Sequence, residues 1–129
     1  MTIELAMLAS SIVLGLAQIL LAAHFKTKER GLDWNVGPRD EPEKPLGVMA
    51  GRLKRASANF LETFPFFAAA VLMAAVAGRH NWLTQAGAVL YFLGRLVYVP
   101  LYAWGIPVIR TVVWAVAMVG IVLVLFGLI

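Results

Sequence analysis

The sequence predicts an all-α integral membrane protein, a bundle of four helices. Of its 129 residues, 61% are hydrophobic and 14% are charged, and the mean hydropathy is +0.83. A soluble domain of this size could not bury so much apolar surface. The apolar residues fall into four runs, each long enough to cross about 30 Å of hydrocarbon as a helix. We therefore expect residues 1–129 to form one domain with no separate soluble unit.

The first span and the connection after it differ sharply in composition. Residues 3–25 are apolar apart from small polar interruptions, and we interpret them as a retained membrane helix. The chain then turns polar from residue 26 to about residue 46, and Pro38, Pro42 and Pro45 rule out a continuous helix there. This connection is predicted to be a charged, solvated loop, and its length leaves a functional cover as the alternative.

The three later spans are separated by short connections. Span two covers residues 49–77 and contains Pro65. A Gly-Arg-His-Asn turn leads into span three, residues 82–103. Span four covers residues 107–129 and begins at Pro107, a residue that suits the first turn of a helix.

The basic residues indicate the orientation of the chain in the membrane. Eight of the eleven Lys and Arg residues lie between Lys26 and Arg55. Because basic loops stay in the cytoplasm, both termini are expected to face away from it. This clustering beside apolar spans explains the net charge of +4 better than nucleic-acid binding does, so no nucleic-acid partner is expected.

A polar stripe on span two predicts a functional site inside the membrane. Arg55, Asn59 and Glu62 follow Arg52 at spacings of three or four residues, which places them on one side of a helix. An unpaired carboxylate in hydrocarbon costs several kcal/mol. Glu62 is therefore expected to face a partner, a water-filled cleft or a ligand.

A second polar stripe lies on span three, where Tyr91, Arg95, Tyr98 and Tyr102 share one face. Both stripes are expected in the half of the bilayer nearer the basic loop, and so in one site. Two alternatives remain for these residues, a structural ion pair between Arg95 and Glu62 and an aromatic belt at the membrane boundary. Arg110, at the start of span four, either joins the site or anchors its helix at the headgroups.

The composition also excludes several kinds of chemistry. There is no cysteine, so disulfides, thiolate catalysis by the protein and cysteine-ligated metals are ruled out. Any reactive thiol must come from a ligand. No metal site is predicted, because the topology puts His24 and His80 at opposite ends of the membrane.

These motifs resemble the MAPEG family, the membrane-associated proteins in eicosanoid and glutathione metabolism. The resemblance rests on Arg55-x-x-x-Asn59-x-x-Glu62 followed by Phe64-Pro65, on Tyr91-x-x-x-Arg95-x-x-Tyr98-x-x-x-Tyr102, and on the basic first loop. The chain resembles the small bacterial members of the family most. The resemblance implies a homotrimer in the bacterial inner membrane, with glutathione as co-substrate in clefts between protomers near the cytoplasmic side.

The resemblance also implies roles for individual residues. Glutathione would be held by Arg55, Asn59, Glu62, Arg95, Tyr98 and Tyr102. For the catalytic arginine that favours the thiolate, Arg110 is the only candidate at the start of span four. Whether Arg110 or a basic residue of the first loop, Lys26, Lys28 or Arg30, contacts the ligand is left open. The implied partners are further copies of the chain, glutathione, a lipophilic small molecule and membrane lipid.

Three functions are compatible with this sequence. The first is a glutathione-dependent transferase or peroxidase acting on lipophilic electrophiles or hydroperoxides. The second is a non-catalytic MAPEG-like membrane protein that binds a thiol or a lipid anion. The third is a small transporter or assembly subunit, in which Glu62 and Arg95 form a structural pair.

Overall fold

A computed structural model describes all 129 residues and contains helices but no strands. Four of the five helices are long and apolar enough to cross a membrane. This confirms the predicted all-α class with four membrane-length helices. The helices are α1 (Ile3–Arg30), α2 (Leu32–Val36), α3 (Val48–Val76), α4 (Trp82–Ala103) and α5 (Pro107–Phe126).

The helix ends differ from the predicted ones mainly at the first connection. α1 continues past residue 25 because no helix-breaking residue follows until Gly31, whose φ of 90° suits glycine. The connection that follows is not wholly irregular, since it contains α2. α4 begins with a capping box, in which the side chains of Asn81 and Thr84 each bond the backbone of the other.

Glycines allow α4 and α5 to pack closely. A Cβ atom on Gly120 would lie 2.6 Å from the carbonyl oxygen of Gly87 and 2.8 Å from the backbone nitrogen of Tyr91. Two turns further along α4, Gly94 packs against Ala117 of α5 in the same way. Such small residues let helix backbones approach each other in a membrane, so this pair forms the most extensive helix contact in the fold.

The central core joins all four long helices. Phe67 of α3 and Tyr91 of α4 stack with their ring centroids 4.0 Å apart, and Leu8 and Ala117 bring α1 and α5 to the same cluster. The hydroxyl groups of Tyr91 and Thr63 lie 3.0 Å apart and satisfy each other. Tyr91 is therefore a core residue, although it lies on the polar stripe of α4.

A buried polar cluster fastens the end of the bundle that lies away from the basic loop. The carboxylate of Glu4 is 3% exposed, and its two oxygens lie 2.9 and 3.0 Å from Nδ1 of His80. The hydroxyl of Thr84 donates to the same carboxylate. Asn81 donates from Nδ2 to the carbonyl of Gly127 at 2.8 Å. The ends of α1, α4 and α5 are thereby tied to the α3–α4 turn.

Candidate functional site

The two polar stripes meet at the basic end of the bundle, around the side chain of Tyr102. Arg55 of α3 donates from Nε to the Tyr102 hydroxyl at 3.0 Å. The guanidinium carbon of Arg110, from the first turn of α5, lies 4.4 Å from the centre of the same ring. The structure thus brings together three residues that the sequence placed on three different helices.

Arg95 forms a second group next to this one. Its side chain is fully buried, and Nη1 donates to Oδ1 of Asn59 at 2.8 Å. The guanidinium also lies over the ring of Tyr98, 4.3 Å from its centre. The rings of Tyr98 and Tyr102 are 5.7 Å apart, so the two groups form one continuous site.

Glu62 does not pair with Arg95, and the structural ion pair considered from the sequence is wrong. The ion pairs of the chain join Glu43 to Lys26 and Arg30, and Glu4 to His80. Glu62 is exposed on the flank of α3. Glu62 lies about one turn beyond Asn59 on α3. The polar stripe runs along the edge of the buried face of this helix, so Glu62 points away from the bundle interior.

A cationic cleft of about 600 Å³ opens beside this site. Four basic side chains and no carboxylate line it, which makes it suited to an anion. Of the residues assigned to the site from the sequence, only Arg55 contributes. The lining residues are Arg30, Leu46, Gly47, Val48, Gly51, Arg52, Lys54, Arg55 and Ala58.

The sequence analysis missed Lys54 as a site residue. Arg30 was one of three first-loop residues, with Lys26 and Lys28, that it left open as contacts of the ligand. The signal that could have found Lys54 is its position in the chain, directly before Arg55.

The first loop folds back onto the end of α1 and fixes Arg30 at the edge of the cleft. Arg30 donates from Nε to the carbonyl oxygen of Lys44 at 3.0 Å, and its Nη1 lies 3.3 Å from the carboxylate of Glu43. Its guanidinium also lies 5.1 Å from the centre of the Trp34 ring. The backbone nitrogen of Gly47 donates to Glu29 at 3.0 Å. The loop is therefore held by specific contacts at the mouth of the cleft.

Arg52 lines the cleft and also fastens the α4–α5 connection. Its Nη1 donates to the carbonyl of Ala103 at 3.3 Å, in the last turn of α4. A cation there is favourable because the carbonyls at a helix C-terminus carry partial negative charge. Gly105, with φ of 74°, leaves room for the guanidinium, since a Cβ atom would lie 2.7 Å from Nη2 of Arg52. This contact holds the segment between Tyr102 and Arg110 in place.

The arrangement can bind an anion and stabilise negative charge on it. Guanidinium groups match carboxylates in geometry, and those of Arg55 and Arg110 both contact the side chain of Tyr102. No group of three or more His, Asp or Glu residues comes together in a way that could hold a metal ion.

Comparison with known proteins identifies the family. The sequence model of the MAPEG family matches residues 5–129, which include both stripes, the basic loop and Arg110. No curated protein and no solved structure matches the chain. Because the match covers essentially the whole chain, the protein belongs to the MAPEG family.

Proposed function

We propose that the protein is a glutathione-dependent membrane transferase or peroxidase acting on lipophilic electrophiles or hydroperoxides. The family contains glutathione-dependent transferases and peroxidases as well as members without catalytic activity. The observation that carries the proposal is the continuity of the cationic cleft, through Arg55, with Tyr102 and Arg110.

The charges of the cleft support the proposed binding of glutathione. Glutathione is a small anionic peptide with two carboxylates, and four cations line the cleft, of which only Arg30 is paired with a carboxylate, that of Glu43. Arg52 and Arg55 offer planar guanidinium groups that bind a carboxylate with two parallel hydrogen bonds. Asn59 and Tyr98 extend the site toward the middle of the bilayer. The chain has no cysteine, so the reactive sulfur is the one that glutathione brings.

The proposed chemistry starts from the thiolate of glutathione. A guanidinium beside the sulfur favours the ionised form by charge and hydrogen bonding, and Arg110 is the residue we assign to this role. With an electrophile, the thiolate forms a carbon–sulfur bond and the leaving group departs with its electron pair. With a hydroperoxide, the thiolate attacks the terminal oxygen, the O–O bond breaks, and the alkoxide leaves and takes a proton to become the alcohol. A second glutathione then attacks the sulfur of the resulting sulfenic acid, which gives the disulfide and releases water. The lipophilic substrate would reach the site from the surrounding membrane lipid.

We also propose that the active unit is a homotrimer in the bacterial inner membrane, with both termini away from the cytoplasm. Glu62 lies exposed on the flank of α3, and Phe66, one turn further, is 68% exposed. A carboxylate facing hydrocarbon is costly, so an adjoining protomer that covers this flank would relieve the cost. Glu62 would then help to hold glutathione in a cleft between protomers.

The proposal is tested with purified protein in detergent micelles. We expect thiolate absorbance in the ultraviolet when glutathione is added, and conjugation of the hydrophobic electrophile chlorodinitrobenzene. Binding of glutathione without either signal would support the competing function, a non-catalytic membrane protein that binds a thiol or lipid anion. No binding and no turnover would contradict both glutathione-based functions. The variant Arg79→Gln also loses an arginine, but at the far end of the bundle from the site. It is therefore the matched control for variants of the site arginines.

A further inference from the structure

Arg95 is the most deeply buried cation of the chain, and it has no carboxylate partner. Its side chain is 0% exposed, and its only hydrogen bond is the one from Nη1 to Oδ1 of Asn59. Nε and Nη2 have no partner. The rings of Tyr98 and Phe60 lie 4.3 and 5.6 Å from the guanidinium carbon. A cation in this setting is enclosed by protein and does not reach a molecule in the cleft.

The chemistry of this contact decides which way the amide of Asn59 points. An arginine has only donors, so the atom that faces it must be the amide oxygen. The Nδ2 group therefore points away from Arg95. The Nδ2 group donates to no atom of this chain, and it is not one of the buried side-chain atoms that lack a hydrogen-bond partner. Asn59 thus presents two donor hydrogens, and no acceptor, to whatever occupies the site.

We propose that Arg95 is a positioning residue, which holds Asn59 so that its Nδ2 group selects a hydrogen-bond acceptor, such as a carboxylate or a peptide carbonyl, on the ligand. This inference rests on the proposed binding of glutathione at the same site and specifies the group recognised beside Asn59. It also revises the role of Arg95, which the family resemblance assigned to direct ligand binding. A lysine could keep the hydrogen bond to Asn59, whereas its compact ammonium group would stack less well on Tyr98.

A double-mutant cycle distinguishes positioning from direct contact. Glutathione binding is measured by calorimetry for the wild type, Arg95→Met, Asn59→Ala and the double variant. Arg95→Met leaves Asn59 free to rotate and is expected to weaken binding roughly tenfold. In the Asn59→Ala background the same change should cost less than about twofold, because Arg95 then has nothing to position. Losses that simply add would overturn the proposal and place Arg95 in contact with the ligand.

Rescue by a conservative variant gives a second readout. Arg95→Lys should recover most of the affinity that Arg95→Met loses, because it retains a donor toward Asn59. Arg79→Met, an exposed arginine at the far end, is the control and should bind as the wild type does. Equal losses in Arg95→Lys and Arg95→Met would contradict a role through the hydrogen bond. Arg95→Leu, which also lacks a donor, replaces Arg95→Met if the latter does not fold.

Thermal unfolding without ligand separates this inference from the proposed function. If the wild type does not bind glutathione, the proposed function fails, but the contact between Arg95 and Asn59 can still be tested. Asn59→Asp places a carboxylate against the buried guanidinium, so it should raise the melting temperature when Arg95 is present and lower it in the Arg95→Met background. The same shift in both backgrounds would overturn the positioning role.

Discussion

Arg55 donates from Nε to the hydroxyl of Tyr102 at 3.0 Å, across 47 positions of sequence. This contact joins the polar stripe of α3 to that of α4. Arg110 follows the α4–α5 connection, and its guanidinium carbon lies 4.4 Å from the centre of the same ring. Tyr102 is therefore the point at which three helices share one polar site, and removing its hydroxyl tests whether the site depends on that arrangement.

Tyr102→Phe should weaken glutathione binding several-fold. The variant keeps the ring under Arg110 and removes only the acceptor for Arg55, which leaves this exposed arginine less well oriented. A hydrogen bond to a partly exposed cation contributes about 1 kcal/mol, or roughly a fivefold change in affinity. The measurement is calorimetric titration with glutathione.

Tyr91→Phe is the matched control for that experiment. Its hydroxyl bonds Thr63 in the core, 3.0 Å away. Removing it should lower the free energy of unfolding by about 1 kcal/mol and leave glutathione affinity unchanged. If Tyr91→Phe weakened binding as much as Tyr102→Phe, the site would not be where we place it.

Arg110→Gln should separate binding from chemistry. The cleft keeps Arg52 and Arg55, so glutathione affinity should fall only a few-fold. Stabilisation of developing negative charge by one preorganised donor is worth about a hundredfold in rate or more. We expect kcat with chlorodinitrobenzene to fall by that factor and the thiolate absorbance to disappear. Full turnover in this variant would show that another group activates the thiol.

Glu4→Gln should destabilise the protein without affecting the site. The carboxylate of Glu4 accepts a hydrogen bond from Thr84 and lies against His80, at the end of the bundle away from the cationic cleft. A buried polar group left with poorer partners costs about 1–3 kcal/mol, so the melting temperature should fall clearly. Glutathione affinity of the folded protein should stay at the wild-type value. A change in affinity with unchanged stability would contradict this purely structural role.

Gly120→Leu should separate α4 from α5. Even a Cβ atom at this position would meet the backbone of Gly87 and Tyr91, and backbone atoms cannot move aside as a side chain can. Overpacking of this kind costs about 1–3 kcal/mol or more. Val119→Leu places the same leucine side chain on the exposed face of α5 and is the control. Equal melting temperatures for the two variants would refute the close contact.

The elements of the fold could be predicted from sequence because their signals are local. Apolar runs, Pro107 and the Gly-Arg-His-Asn turn mark where the membrane helices begin and end, and each is visible within a few residues. The end of α1 was missed since the charged residues after position 25 change hydropathy without breaking a helix. Its true limit is set by Gly31.

The partners of the site residues were harder to predict because they depend on how helices rotate against each other. Spacing placed Arg95 and Glu62 on facing stripes, and an ion pair was a reasonable alternative. The packing instead turns Asn59 toward Arg95 and leaves Glu62 on the flank. The contact between Glu4 and His80 joins positions 76 apart, and no local pattern indicates it. The role of Arg30 likewise depends on how the first loop folds.

The central claim is that both stripes, Arg110 and the cationic cleft form one binding site for glutathione. An experimental structure of the protein determined with saturating glutathione tests this most directly. We predict an elongated tripeptide whose carboxylates contact the cleft arginines and which lies within hydrogen-bond distance of Asn59 Nδ2. A cleft without ligand, with glutathione bound elsewhere or not at all, would contradict the account.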